Sequence, residues 1–215
     1  MFLGLSPLKG KEEGSMEDRH YFTDNSDLPA DRREHSFSFS NQVFTFTTDL
    51  GVFSKSGVDQ GTELLLNAVC RNPVSGSVLD LGCGYGTVGV VVKTLFPECA
   101  VTCVDINPRA VELAQLNAQR AHVEVDALVS DGFSAIGDRS FDLVITNPPI
   151  RAGKMIVYTF FEDAYMHLHE GGRLYAVVRR KQGADSAQKK LSSLFGNCEI
   201  ALSKKGYRIF CCVKH

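Results

Sequence analysis

Val78-Leu79-Asp80-Leu81-Gly82-Cys83-Gly84-Tyr85-Gly86 is the stretch on which the fold of this 215-residue chain turns. Val78, Leu79 and Leu81 give a short buried strand that runs straight into three glycines. Beyond them Val88, Val91, Val92 and Leu95 recur at helical spacing. Glycines let a backbone turn tightly and approach a ligand closely, and the first turn of the helix beyond them offers unpaired N–H groups. A strand, a glycine corner and a helix therefore make a ligand-holding element.

The pattern continues in both directions. Upstream, residues 59–70 read as a helix carrying Leu64, Leu65, Ala68 and Val69. Before that, HSFSFS and VFTFTT alternate around Asn41-Gln42, a hairpin signal. Downstream, AVTCV is a strand, and Asn107-Pro108 starts a helix with Ala110, Leu113, Ala114 and Asn117 on one face. VEVDALV and FDLVIT are strands. Val157, Phe160, Phe161, Ala164 and Leu168 line a helix that Gly171-Gly172 is expected to end. RLYAVVR is a strand, and Ala187, Leu191, Leu194 and Phe195 line the last helix. Residues 198–203 and 207–213 flank Lys204-Lys205-Gly206, too close together for a crossover helix, so they should pair antiparallel. The sum is α/β: a doubly wound sheet with an antiparallel last strand, preceded by an N-terminal hairpin.

Domain size allows one domain, expected over 35–215, after a polar arm without period over 1–34. Within that arm, Gly14-Ser15-Met16 marks either an expression-vector remnant or an upstream start. Seven cysteines without a C-x-x-C pair indicate neither a disulfide framework nor a zinc site, and they fit free thiols in a reducing cytoplasm. No apolar run approaches the ~20 residues of a membrane span. The net charge of −2 disfavours a binder of nucleic acid that works by bulk positive charge. The charge is segregated, however. Residues 1–150 hold 11 basic and 20 acidic side chains, and residues 151–215 hold 12 and 5.

Gly84-Tyr85-Gly86-Thr87-Val88-Gly89 matches G-x-G-x-x-G, and Asp105 follows about 20 residues on, so a dinucleotide site stays open on spacing alone. Two features favour a cationic ligand. Asp80 lies two residues before Gly82, where a carboxylate suits an ammonium and repels a pyrophosphate. Asp131, in Ser130-Asp131-Gly132-Phe133, is a third carboxylate at a strand end. Asp80 would then take an ammonium, Asp105 ribose hydroxyls and Asp131 an adenine amine, with Phe133 or Ile106 packing the ring. A sulfonium cofactor bearing an ammonium, a ribose and an adenine fits this set.

Asp142-Leu143-Val144-Ile145-Thr146-Asn147-Pro148-Pro149-Ile150 runs a strand directly into Asn-Pro-Pro. A conjugated amine is a poor nucleophile because its lone pair is delocalised. Acceptors on its N–H bonds hold it and favour a pyramidal nitrogen. The Asn147 side-chain oxygen and the Pro148 carbonyl can be those acceptors, on a loop that two prolines stiffen.

Asp80-Leu81-Gly82-Cys83-Gly84 resembles motif I of the class I S-adenosylmethionine-dependent methyltransferases, and Val104-Asp105-Ile106-Asn107 resembles their acidic motif after the second strand. The resemblance implies a seven-stranded Rossmann-like sheet. It also implies S-adenosylmethionine as cofactor, S-adenosylhomocysteine as product, no metal, and a cofactor shell of Asp80, Gly82, Cys83, Gly84, Asp105, Ile106, Asp131, Gly132, Phe133 and Asn147. Asn147-Pro148-Pro149-Ile150 resembles the catalytic Asn-Pro-Pro-aromatic motif of amino-group methyltransferases acting on nucleic-acid bases or protein glutamine. Ile150 stands in place of the aromatic; either Phe53, Phe133 or Tyr158 takes over its stacking, or the contact there is simply apolar.

Thr47-Thr48-Asp49-Leu50-Gly51-Val52-Phe53-Ser54, followed by Val58-Asp59, Gly61-Thr62 and Leu64-Leu65, resembles the ribosomal RNA small-subunit guanine-N2 methyltransferases of type C and their single-domain relatives. The resemblance covers about residues 40–215, and the additional N-terminal domain of the type C enzymes is not expected in this chain. By this resemblance Phe53 and Asp59 wall the cofactor pocket, and the substrate is a guanine amine of ribosomal RNA, free or within a ribosomal subunit. Arg151, Lys154, Arg179, Arg180 and Lys181 lie just past strand ends and would contact its phosphates. Lys189, Lys190, Lys204 and Lys205 read as solvated charges. A protein glutamine, a small-molecule amine, a non-catalytic cofactor-binding domain and an NAD enzyme remain alternatives, as do monomer and homodimer.

Overall fold

The structure is a computed structural model that describes residues 31–215. The expected arm thus lies outside the described residues as far as residue 30. From residue 31 the chain is tied down: the Asp31 amide donates to Asp49 at 2.7 Å, and Arg32 pairs with Glu112. Strand β1 (Arg33–Phe39) begins two residues ahead of the His35-Ser36 alternation and pairs antiparallel with β2 (Gln42–Thr48). Ser40 and Asn41 between them have φ of 50° and 61°. Such left-handed pairs match the twist of a two-residue hairpin, and asparagine tolerates the conformation well.

The main sheet has the order β5-β4-β3-β6-β7-β9-β8. It is built from β3 (Ser77–Leu81), β4 (Ala100–Asp105), β5 (Asp126–Val129), β6 (Phe141–Thr146), β7 (Leu168–Arg179), β8 (Glu199–Lys204) and β9 (Tyr207–Val213). Strand β9 runs antiparallel to both neighbours, and the other pairs are parallel. Helices α1 (Gln60–Val69), α2 (Thr87–Leu95) and α3 (Pro108–Arg120) pack with the hairpin on one face. Helices α4 (Lys154–Met166) and α5 (Ala184–Phe195) cover the other. Period-two alternation sorts the strands between the faces: Val78, Ile145 and Val177 join the first core, and Leu79, Leu81, Val144 and Ala176 the second. Asp80 therefore shares the face of Val78, beneath α2.

The expected helix end at Gly171-Gly172 is corrected. Helix α4 stops at Met166, where the His167 amide closes onto Asp163 O at 3.0 Å. The His167 carbonyl then accepts from Phe141 N at 2.8 Å and draws the chain into the sheet, so Leu168 pairs with Phe141. Gly171 (φ +79°) and Gly172 form an irregularity within β7, joined to Lys214 by two backbone hydrogen bonds. Strand β5 covers only the last four residues of the expected VEVDALV run, as an edge strand.

Asn117 fixes the hairpin to the main domain. Its Nδ2 donates to Thr47 O at 3.0 Å and to Tyr85 O at 2.8 Å, and its Oδ1 accepts from Thr47 N at 2.7 Å. One buried amide thus holds β2, α3 and the glycine corner together. Asn117→Leu would leave three backbone groups without partners and is expected to destabilise the fold by about 3 kcal/mol. Urea unfolding would show this as a lower midpoint at unchanged m-value.

Candidate active site

Strand order reverses at β3. The chain moves outward through β4 and β5, then crosses back to place β6 on the other side of β3. The crevice beyond the C-terminal ends of β3 and β6 is where ligands bind in such sheets. Thr146, fully buried, donates its hydroxyl to Leu81 O at 2.9 Å, locking the end of β6 to the end of β3. Asn147 consequently begins beside Gly82.

The glycine corner is pinned from the β4 side. Gly82 N and Cys83 N both donate to Val104 O at 2.9 Å, and Gly84 N donates to Asp105 Oδ2 at 2.8 Å. Gly82, Gly84 and Gly86 have φ of +73°, +54° and +85°. A β-carbon at Gly84 would meet no atom within 4 Å, so the backbone there faces open space. A β-carbon at Gly89 would lie 2.3 Å from Cys103 Sγ, so the last glycine of the run serves close packing of α2 on β4. The Cys83 thiol is pushed well up by its contact with Cys103 and by burial, which keeps it neutral. Tyr85 turns inward, its ring 5.9 Å from Phe46, and burial raises its hydroxyl to about 12.

Asp80 is 3% exposed and accepts from Gly89 N at 2.9 Å. Burial lifts its carboxyl to about 7, with the Asp105 charge adding to the rise and the Gly89 hydrogen bond opposing it. Among the described residues no cation pairs with it. Asp105 accepts from Gly84 N and, through Oδ1, from Asn107 N at 2.9 Å; burial raises its carboxyl against these hydrogen bonds. Asn107 caps α3 by accepting from Arg109 N at 3.0 Å and donates to Gly51 O at 2.9 Å. The 51–57 segment is thereby held next to the cofactor side of the sheet. Phe53 on that segment is 54% exposed, and Ile106 is 42% exposed.

The loop after β5 carries Asp131 and Phe133. Asp131 is exposed, and its turn is organised by Ser130 Oγ, which donates to Gly132 O at 2.8 Å and accepts from Ala135 N at 3.0 Å. Phe133 is 7% exposed and stacks on His167 at 4.6 Å. It packs in the core under α4. Phe160, which sequence reasoning placed on the core face of α4, packs on that core and also reaches the loops. Its edge lies 3.6 Å from a β-carbon position at Gly82 and 3.9 Å from one at Gly132. Phe161, next to it, is fully buried, and Phe160 packs half-buried against the same core.

The donor set fits S-adenosylmethionine. Unpaired Asp80 suits a cation, Asp105 suits hydroxyl donors, Ile106 and Phe160 are apolar surfaces, and the open backbone at Gly84 leaves room for close approach. Among the described residues no cluster of His, Cys, Asp and Glu is arranged for a metal ion, and no helix is long and apolar enough to cross a membrane.

On the β6 side, Asn147 Nδ2 donates to Thr62 Oγ1 at 3.0 Å and to Asp59 Oδ2 at 3.2 Å. Asp59, expected as a cofactor wall, caps α1 through Gly61 N at 2.8 Å and also accepts from the Thr62 hydroxyl. Pro149 has φ −74° and ψ 76°, an inverse γ-turn, and the Ile150 amide donates to Pro148 O at 2.8 Å. That carbonyl keeps its second lone pair. A cavity of about 130 Å³ opens beside Ile150, lined also by Lys154, Val157, Tyr158, Gln182 and Ser186. Tyr158 lines the same cavity as Ile150, and its hydroxyl donates to Ser186 O at 3.0 Å. A second cavity, about 460 Å³, lies between the hairpin and the C-terminal ends of α2 and α3, at the opposite edge from Asn147.

Arg151, Lys154, Arg179, Arg180 and Lys181 are exposed at or after the ends of β6 and β7. Lys154 stands 5.1 Å from the Tyr158 ring centre. Arg179 is engaged differently from its neighbours: its guanidinium stacks over Tyr207 at 4.9 Å, and Nε donates to the Tyr207 hydroxyl at 2.6 Å.

The chain matches the family model described as Methyltransferase small domain over residues 43–211. It is 41% identical over 192 residues to the Bacillus subtilis (strain 168) protein YbxB, covering 88% of this chain and 96% of that one. It is 39% identical over 132 residues to ribosomal RNA small subunit methyltransferase C of Haemophilus influenzae (strain PittGG), covering 60% of this chain and 39% of the relative. Among solved structures, the T. thermophilus 16S rRNA N2 G1207 methyltransferase in complex with AdoMet and guanosine is similar with a TM-score of 0.80 at 27% identity, over 87% of this chain and 52% of that one. The chain spans about half or less of the length of these two methyltransferases. Glycine corner, strand-end carboxylates and Asn-Pro-Pro turn stand around one crevice, the family model extends through all of them, and the chain belongs to the methyltransferase small-domain family of class I S-adenosylmethionine-dependent methyltransferases.

Proposed function

We propose that this chain methylates an exocyclic amine of a nucleobase, guanine N2 in small-subunit ribosomal RNA. The observation that carries this reading is the Thr146–Leu81 lock, which sets Asn147, at the end of β6, beside the glycine corner at the end of β3. Acceptor and cofactor sides therefore share one crevice. The relatives acting on ribosomal RNA support the polymer, and the T. thermophilus complex with guanosine supports the base.

Asp80 would hold the cofactor's ammonium, Asp105 its ribose hydroxyls and Ile106 with Phe160 its adenine, with Asp131 at the amine edge. Bound S-adenosylmethionine supplies a methyl group already activated by a sulfonium, so no general acid is needed. The task of the chain is alignment and stabilisation of developing positive charge on the amine. Asn147 Oδ1 and Pro148 O accept the two amine N–H bonds and hold the nitrogen lone pair toward the methyl group. The γ-turn over Pro149 keeps the Pro148 carbonyl in place. Ile150 and Tyr158 would sandwich the base. The amine proton leaves to solvent after transfer.

The test is transfer of tritiated methyl groups to separated 30S, 50S, free RNA and protein fractions. Label in 16S RNA, as 30S or free RNA, supports the proposal. Label confined to protein, or absent from every fraction, overturns it.

Exposed Arg180 and Lys181, with Arg151 and Lys154, give a positive rim for phosphates. A double change, Arg180→Ala with Lys181→Ala, is expected to weaken RNA binding and to lower the slope of log K against log salt by about 1.4, at about 0.7 per single-strand phosphate contact. A salt titration with an unchanged slope removes the rim from RNA binding.

A further inference from the structure

We infer that Asp59 and Thr62 form a clamp that fixes which way the Asn147 amide points, making both of them positioning residues for methyl transfer. The inference rests on the proposed role of Asn147 as acceptor for the target amine. An asparagine amide presents an acceptor at one end and donors at the other, and only the acceptor end can hold an amine by its N–H bonds. Something must therefore decide the orientation.

The partners of Asn147 decide it. An ionised carboxylate accepts and cannot donate. Asp59 Oδ2 accordingly requires the nitrogen end of the amide, at 3.2 Å. The Thr62 hydroxyl spends its only proton on the same Asp59 oxygen, so toward Asn147 it too can only accept, at 3.0 Å. Both neighbours demand N–H. A flipped amide would set Oδ1 against a carboxylate and a hydroxyl lone pair, leaving repulsion where two hydrogen bonds stood. With Nδ2 held, Oδ1 is turned to the other side of the amide.

The clamp is itself held rigidly. Asp59 has extended backbone angles (φ −73°, ψ 156°), and its Oδ1 caps α1 through Gly61 N at 2.8 Å. A β-carbon at Gly61 would lie 2.9 Å from Asp59 Oδ1 and 2.9 Å from the Tyr207 ring, so close packing against β9 sets the first turn of α1. The first turn of α1 thus carries a locked acceptor pair to a residue 88 positions away in sequence.

A purely structural cap makes different predictions from a clamp. Asparagine caps helices about as well as aspartate. Asp59→Asn should therefore fold and melt within about 2 °C of the parent, since a shift of that size is below the change that a loss of 1 kcal/mol would give. Yet its new amide cannot both keep the cap and offer Asn147 an acceptor. We expect kcat to fall about 100-fold, the loss that misplacement of a reacting group produces, with KM for cofactor and acceptor nearly unchanged. Thr62→Val should lower kcat in the same way, and Thr62→Ser, which restores the hydroxyl, should recover most of it. In an Asn147→Ala background, single-turnover rates should show no further loss from Asp59→Asn, because the group being positioned is gone. A full additional loss there would overturn the clamp. So would wild-type kcat in both Asp59→Asn and Thr62→Val alongside an inactive Asn147→Ala. A fully active Asn147→Ala would overturn the parent reading, and the clamp with it.

Discussion

Replacing Asn147 with alanine is expected to lower methyl transfer by roughly 10²–10³-fold, the range seen when one preorganised polar group is removed from a reaction centre. Cofactor affinity should stay within several-fold, because the residues proposed to hold that ligand, Asp80, Asp105 and the glycine corner, lie at the β3 and β4 ends and are organised without Asn147. The loss should fall on kcat. A conjugated amine becomes nucleophilic only as its nitrogen pyramidalises, and the Asn147 oxygen favours that change through an N–H bond whose proton grows more acidic as the methyl group arrives. Single-turnover rates with saturating cofactor, paired with calorimetry, separate the two effects. A variant with near-normal turnover would contradict the assignment of Asn147.

The second large effect concerns Asp80. Its carboxyl is held at about 7 by burial, with no cation beside it among the described residues. Two consequences follow in opposite directions. In the ligand-free chain the folded state retains this proton between the ordinary carboxylate range and about 7, so the unfolded state is the more ionised. Stability contributed by this group is therefore full at low pH and declines as pH rises through that window. Cofactor binding runs the other way, because an ammonium favours the ionised carboxylate and binding expels the proton. Affinity should rise about tenfold per pH unit below 7, level off near 7, and weaken again only as the cofactor's own amine titrates near 8. Asp80→Asn should flatten the rise below 7, lower affinity most at pH 7–8, and raise the melting temperature of the ligand-free chain at pH 8. Calorimetry from pH 5.5 to 8 and a thermal melt at pH 8 test both arms. A flat wild-type affinity profile would show that Asp80 does not titrate on binding.

What was legible in the sequence was local. The glycine corner, the Asn-Pro-Pro turn and the two hairpins are written in neighbouring residues: left-handed glycines at 82, 84 and 86, and turn residues at Asn41 and Lys205-Gly206. The charge split between the two parts of the chain was legible for the same reason. The misreadings came where a tertiary contact decided. Gly171-Gly172 looks like a helix stop, but the Phe141–His167 hydrogen bond starts the strand earlier. The stack of Phe133 on His167 was not legible either, because the two lie 34 positions apart. The contact of Arg179 with Tyr207, 28 residues later, was likewise invisible in the basic run. The nearness of Phe160 to Gly82 and Gly132 was not visible, because helical phase alone does not say which loops fold over it. Asp59 and Thr62 gave the least signal of all. An Asp-x-Gly-Thr run ahead of apolar residues reads fully as a helix cap, and its second task exists only once β6 brings Asn147 alongside.

The central claim is that the methyl group goes to a guanine N2, and nucleoside identity tests it most directly. Small subunits should be isolated from a strain lacking this protein, incubated with the purified protein and labelled S-adenosylmethionine, then digested to nucleosides and separated by mass. The expected result is label in N2-methylguanosine, abolished by Asn147→Ala. Label in an adenosine or cytidine derivative, or at another atom of guanosine, would contradict it.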